Sequence, residues 1–87
     1  MIEGEFVSIP ERVVCSPAWG RLDPFSVRAG VRIEVGTVIG RVTQPKAALP
    51  LVSPVGGLFL EWLAQKGEPV RPGTPLARLK SDDRPGR

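Results

Sequence analysis

The chain repeats itself. Shifted by 37 positions, Ser16-Pro17 falls on Ser53-Pro54, Gly20 on Gly57, Gly30 on Gly67, Gly36-Thr37 on Gly73-Thr74 and Arg41 on Arg78. Residues 14–42 match residues 51–79 without a gap, and apolar residues match apolar ones: Val14 with Leu51, Leu22 with Phe59, Phe25 with Trp62, Ile33 with Val70, Ile39 with Leu76 and Val42 with Leu79. The identities are mostly glycine, proline and threonine, residues that set backbone direction. A repeat of turn residues is therefore a repeat of chain path. Between the copies lies Thr43-Gln44-Pro45-Lys46-Ala47-Ala48-Leu49, with Lys46 in its middle.

With 87 residues there is room for one domain and one modest core. A domain of this size buries only about 60% of its unfolded surface, so turns and packing must agree for it to be stable. Ten glycines and ten prolines rule out long helices. Apolar runs are short and recur every 8–12 residues between turn signals, the pattern of an all-β sandwich or barrel. The stretch Leu58–Gln65 is ambiguous, because Phe59, Trp62 and Leu63 would share one helical face. Its repeat partner, Arg21-Leu22-Asp23-Pro24-Phe25-Ser26, carries a proline in mid-run, so both segments are read as strands.

Each copy thus predicts a strand ending in Ser-Pro, a bend at Gly20 or Gly57, and a second strand ending at Gly30 or Gly67. A short crossing through Ile33 or Val70, the Gly-Thr turn and a closing strand complete it. Neither unit can bury its apolar face alone, so the expectation is a flattened barrel of two four-stranded antiparallel sheets related by a pseudo-two-fold. Its expected core is Val14, Leu22, Phe25, Ile33, Ile39, Val42, Leu51, Phe59, Val70, Leu76 and Leu79. Gly30 and Gly67 are expected at φ > 0. Val7–Arg12 matches Val42–Ala47 with a two-residue gap, which places a turn at Pro10-Glu11 opposite Lys46. Residues 1–80 are assigned to the domain and the polar segment 81–87 to a flexible tail.

Composition excludes several chemistries. There is no histidine and one cysteine, which rules against a zinc site and against any histidine-dependent catalytic triad within this chain. Cys15 pairs with Val52 in the repeat and is expected to be a small core residue. The net charge of +3 invites a nucleic-acid reading, but Arg12, Arg21, Arg28, Arg32, Arg41, Lys66, Arg71 and Arg78 are spread evenly among acids, so none is expected. No apolar run reaches the ~20 residues of a membrane span, so no membrane partner is expected either. The acidic N-terminus does not resemble a signal peptide, and a cytoplasmic location is the expectation.

The duplicated strand pattern, the Ser-Pro-x-x-Gly after the central hairpin and the Val-x-x-Gly-Thr turns resemble the biotinyl/lipoyl carrier domain over residues ~5–80. In lipoyl domains the modified hairpin commonly reads E-T-D-K-A followed by five residues and S-P-x-x-G. Here Thr43-Gln44-Pro45-Lys46-Ala47 stands at the same spacing from Ser53-Pro54. Lys46 falls on the family's attachment lysine, with Pro45 and Ala47 as its turn flanks. Biotinyl domains place methionines on both sides of that lysine, and the only methionine here is Met1, so the lipoyl version fits the motif better.

The resemblance implies a non-catalytic carrier in a multienzyme system. Covalent lipoate, or alternatively biotin, would be loaded on Lys46 by an attaching enzyme and would move between partner enzymes. An unmodified protein-interaction module on the same scaffold is the other reading. A similarity to the barrel-sandwich part of efflux adaptors is weaker, since their coiled-coil insertion is missing.

The chemistry requires such a lysine at the tip of a rigid turn. Pro45 suits the second position of a type I turn, leaving Lys46 at the third. The sequence departs from the lipoyl pattern where Thr43 and Pro45 replace acids, in its basic charge, and at Pro50, which demands an edge strand or bulge. Lys66 and Lys80 are read as surface lysines on a strand end and in the tail.

Overall fold

The structure is a computed structural model that describes residues 11–82. Eight strands follow in order: β1 (Glu11–Cys15), β2 (Gly20–Pro24), β3 (Arg32–Ile33), β4 (Val38–Gln44), β5 (Ala47–Val52), β6 (Gly57–Trp62), β7 (Pro69–Val70) and β8 (Pro75–Ser81). They form two four-stranded antiparallel sheets, β1-β8-β6-β3 and β5-β4-β2-β7. The segment after Gly57 is a strand, as the proline in its repeat partner requires. The halves interlock. Each sheet takes its two inner strands from one copy and its two edge strands from the other, so neither copy could close without its partner.

The repeat extends to hydrogen-bond register. Leu22 faces Val42 as Phe59 faces Leu79, Gly20 faces Val70 as Gly57 faces Ile33, and Val14 faces Ala77 as Leu51 faces Gly40. The connections obey the same shift. Ser16 N donates to Thr74 O at 2.8 Å and Ser53 N to Thr37 O at 2.9 Å, while Gly67 N donates to Leu22 O and Gly30 N to Phe59 O, both at 2.7 Å. Gly30 and Gly67 have φ of 89° and 81° as expected, although they sit in turns and the strands before them end earlier, at Pro24 and Trp62. At Gly57 the constraint is proximity, since a Cβ there would collide with Lys80 O across the β6–β8 pair.

The core lies between the sheets. Ten of the eleven expected residues are buried there, together with Val55, Ala64 and Ala77, which the pattern did not single out. Phe25 is the exception. It is 40% exposed, with the Arg41 guanidinium 5.8 Å from its ring centroid. Three residues beyond the inward Leu22, Phe25 falls on the outward alternation of the strand, whereas a β-bulge in β6 between Phe59 and Glu61 shifts the second copy by one residue. The ion pair Asp23–Arg41 therefore corresponds to Glu61–Arg78, and Phe25 corresponds to the exposed Leu63, not to Trp62. Trp62 turns inward instead. Its ring lies 5.4 Å from that of Phe59, and Gly40 in the opposite sheet leaves room for it, as a Cβ there would lie 3.3 Å from Trp62 Cη2.

Three further expectations are corrected. Cys15 is exposed, because it alternates with Val14 along β1 and Val14 takes the inward place; its partner Val52 is likewise exposed. Glu11 does not lie at a hairpin tip but opens β1, opposite Lys80 and hydrogen-bonded to Arg78 Nη1, while Pro10 lies outside the described residues. The domain boundary also moves. Lys80 lies within β8, Ser81 is buried at its end, and Asp82 binds Arg32, so these residues belong to the domain.

Candidate functional site

The seam between the copies is a tight hairpin. β4 and β5 pair up to Thr43↔Ala48 and Gln44↔Ala47, leaving only Pro45 and Lys46 as the loop. Among the described residues no residue other than glycine has positive φ. Types II, I′ and II′ each need a positive φ at a central position, so of the common two-residue turns type I remains, the one Pro45 specifies. Lys46 is exposed at the tip with Pro45, Ala47 and Ala48 exposed around it, and its amine has no hydrogen-bond or ion-pair partner among the described residues. β5 is an edge strand, which explains how Pro50, opposite Arg41, is accommodated without breaking a ladder on both sides.

The base of the hairpin is braced. Gln44 Nε2 donates to Trp19 O at 2.7 Å, and Thr43 Oγ1 donates to Arg21 O at 3.2 Å. Beyond β5, Ser53 is fully buried. Its hydroxyl donates to Val55 O at 2.7 Å, and its carbonyl accepts from Gly36 N. Ser16 makes the equivalent bond to Ala18 O. The Ser-Pro motif thus has a structural role in both copies, holding the loop that follows the strand. Of the other lysines, Lys66 lies exposed in the turn before Gly67, and Lys80 lies half-buried within β8.

Beside the hairpin base lies an open groove of about 640 Å³, lined by Trp19, Arg21, Gln44, Pro45, Pro69 and Arg71 among others. Sequence reasoning did not single out Trp19 or this groove. The available signal was a break in the repeat, since Trp19 falls on Gly56. Trp19 is 58% exposed, and among the described residues no carboxylate lines the groove.

Elsewhere several charged side chains are paired on the surface. Arg32 bridges Glu34 and Asp82, and its hydrogen bond to Asp82, followed by the attraction of that carboxylate, raises its pKa above the ordinary arginine value. Arg78 bridges Glu61 and Glu11, with its pKa raised first by the hydrogen bond to Glu61.

A covalent cofactor on a lysine needs a free, protruding amine on a rigid support, and Lys46 offers this. The flanking residues fit neither carrier motif fully, lacking both the methionines and the acids.

No protein-family profile and no curated protein matches this sequence. Solved structures do match its fold. A single-chain, multi-domain long-chain acyl-CoA carboxylase superposes with a TM-score of 0.74 at 18% identity, covering 95% of this chain and 8% of that one. The urea carboxylase of Kluyveromyces lactis superposes with a TM-score of 0.73 at 18% identity, covering 91% of this chain and 7% of that one. The chain therefore spans a small fraction of each of these large proteins, and what it shares with them is the barrel-sandwich fold of two four-stranded sheets.

Proposed function

We propose that this domain is a non-catalytic swinging-arm carrier, with Lys46 Nζ joined in amide linkage to biotin, serving partner enzymes that load and unload a carboxyl group. The observation that carries this reading is the unpartnered Lys46 at the tip of the hairpin joining the two halves. Biotin is preferred to lipoate because both structural neighbours are carboxylases, in which a domain of this fold fills a small part of a large chain. Biotin, when attached, would hold the carboxyl group. The protein's part is to project the amine on a braced turn and to keep the tip clear of groups that would compete for it.

Lipoate remains the second reading, on one observation: Lys46, Ala47 and Ser53-Pro54 keep the lipoyl spacing. Co-expression with a biotin-attaching or a lipoate-attaching enzyme, followed by intact-mass measurement, separates the two. A biotinyl adduct that disappears in Lys46→Arg is expected. Pro45→Met with Ala47→Met should increase biotin loading, whereas Thr43→Glu with Pro45→Asp should increase lipoate loading. No adduct on the wild type or on either restored variant would leave an unmodified interaction module.

A further inference from the structure

The two poles of the molecule are built from equivalent positions but finished differently. At the pole away from Lys46, an ion pair fills the space beside Gly56. Arg32 donates from Nη1 to Asp82 Oδ1 at 3.0 Å, from Nη2 to the other oxygen of Asp82, and from Nε to Glu34 at 3.3 Å. A Cβ on Gly56 would lie 3.2 Å from Asp82 Oδ2.

Shifting by the repeat replaces every part of this plug. Gly56 becomes Trp19, Asp82 becomes Pro45, Arg32 becomes Pro69, Glu34 becomes Arg71 and Leu58 becomes Arg21. None of the replacements can rebuild the ion pair, and the corresponding place is the open groove. The same backbone thus carries an ion pair at one pole and an open groove at the pole that carries Lys46.

The chemistry of the opening is specific. The Arg71 guanidinium has no partner among the described residues, and Arg21 spends one nitrogen on Gly67 O at 2.9 Å, leaving the rest of its fork available. Trp19, more than half exposed, lines the same groove, while its carbonyl is held by Gln44. An exposed tryptophan beside unpaired arginines is the composition of an interface hot spot, and arginine forks match carboxylates. With no acid in the lining among the described residues, charge complementarity calls for an acidic occupant. Pro45 belongs both to the groove and to the turn, so a protein reaching Lys46 covers the groove. A nucleic-acid strand would want successive aromatic platforms along a cationic track, whereas this groove has one aromatic bounded by prolines.

We infer that this groove is the docking surface for an acidic segment of the protein that acts on Lys46, with Trp19 as apolar anchor and Arg21 and Arg71 receiving carboxylates. The identity of that protein as a carrier's partner rests on the proposed function; the groove itself does not.

The test uses the full chain, ¹⁵N-labelled, titrated with a synthetic peptide of alternating glutamate and leucine. The chain has two tryptophans, Trp19 in the groove and Trp62 packed against the core, so their indole resonances report the two regions separately. Saturable movement of the Trp19 indole with Trp62 unmoved is expected. Binding should weaken about tenfold in Arg71→Glu and in Trp19→Ala. It should persist in Arg28→Glu, an equal charge change outside the groove.

The inference is overturned by absence of saturable binding, by equal weakening in Arg28→Glu, or by equal affinity for the glutamine version of the peptide. Displacement by free glutamate or sulfate at matching concentration would make the groove a small-anion site, and tighter binding of a single-stranded oligonucleotide would make it a nucleic-acid site; either overturns it. Circular dichroism of each variant checks its fold. A groove that binds while Lys46 takes no cofactor sinks only the carrier reading, and a loaded Lys46 beside a groove that does not bind sinks only this inference.

Discussion

Phe25 and Leu63 hold equivalent places in the two halves. Phe25 N donates to Ile39 O at 3.0 Å and Leu63 N donates to Leu76 O at 2.7 Å, and Ile39 and Leu76 are themselves repeat partners. The sequences align Phe25 with Trp62, so the backbone match is one residue out of step with the residue match. The β6 bulge absorbs that step, and with it the second copy exchanges an exposed aromatic for one packed against the core.

The exchange has an energetic signature. Phe59 is 1% exposed and Phe25 is 40% exposed. Phe59→Ala should cost ~3–5 kcal/mol, through lost transfer energy and the cavity left behind. Phe25→Ala should cost about 1 kcal/mol or less, mostly its contact with Arg41. Equal losses in denaturant titrations would mean that Phe25 is a core residue after all.

Trp62 has a buried indole Nε1–H without a hydrogen-bond partner among the described residues. An unsatisfied buried donor costs about 1–3 kcal/mol, so its removal offsets part of the lost ring volume. Trp62→Phe is expected to stay within about 1 kcal/mol of the wild type, while Trp62→Ala loses about 3 kcal/mol. A Phe variant as unstable as the Ala variant would show that this N–H is satisfied in solution.

The glycines separate two kinds of constraint. Gly57→Ala puts a Cβ against Lys80 O and should cost about 2–3 kcal/mol as the β6–β8 pair gives way. Gly30→Ala meets no atom within 4 Å, but φ is 89°, so conformational strain of about 1–2 kcal/mol is the whole effect. Thermal unfolding of the two variants should rank them in that order.

Lys46→Arg tests the site apart from the scaffold. An exposed turn position should tolerate it within about ±0.5 kcal/mol while any covalent label disappears. A stability loss well beyond that would mean Lys46 supports the hairpin and does not simply project from it.

Cys15 gives a simple check on the alternation of β1. It is exposed, so a thiol reagent should modify it in the native protein without prior unfolding. Protection until denaturation would return it to the core.

Much of this protein was legible in its sequence because the repeat lies in the turn residues. Glycine, proline and buried serine constrain the backbone locally, so duplicated turns entail duplicated strands. Prolines at 24 and 45 settled a strand against a helix and placed Lys46 at a hairpin tip. These are short-range effects, decided by φ and by missing N–H groups, and they need no knowledge of what packs where.

What the tertiary structure alone decided depends on contacts between distant residues. A one-residue bulge in β6 chose Trp62 over Phe25 for the interior, because facing a partner strand leaves register free to slip by a residue that no local pattern marks. Alternation beside the inward Val14 turned Cys15 outward. The pairing of Arg32 with Asp82, 50 residues apart, tied Asp82 to the domain and put an ion pair at one pole. The same positions of the other copy, bearing Trp19, Pro45 and Arg71, left the pole beside Lys46 open.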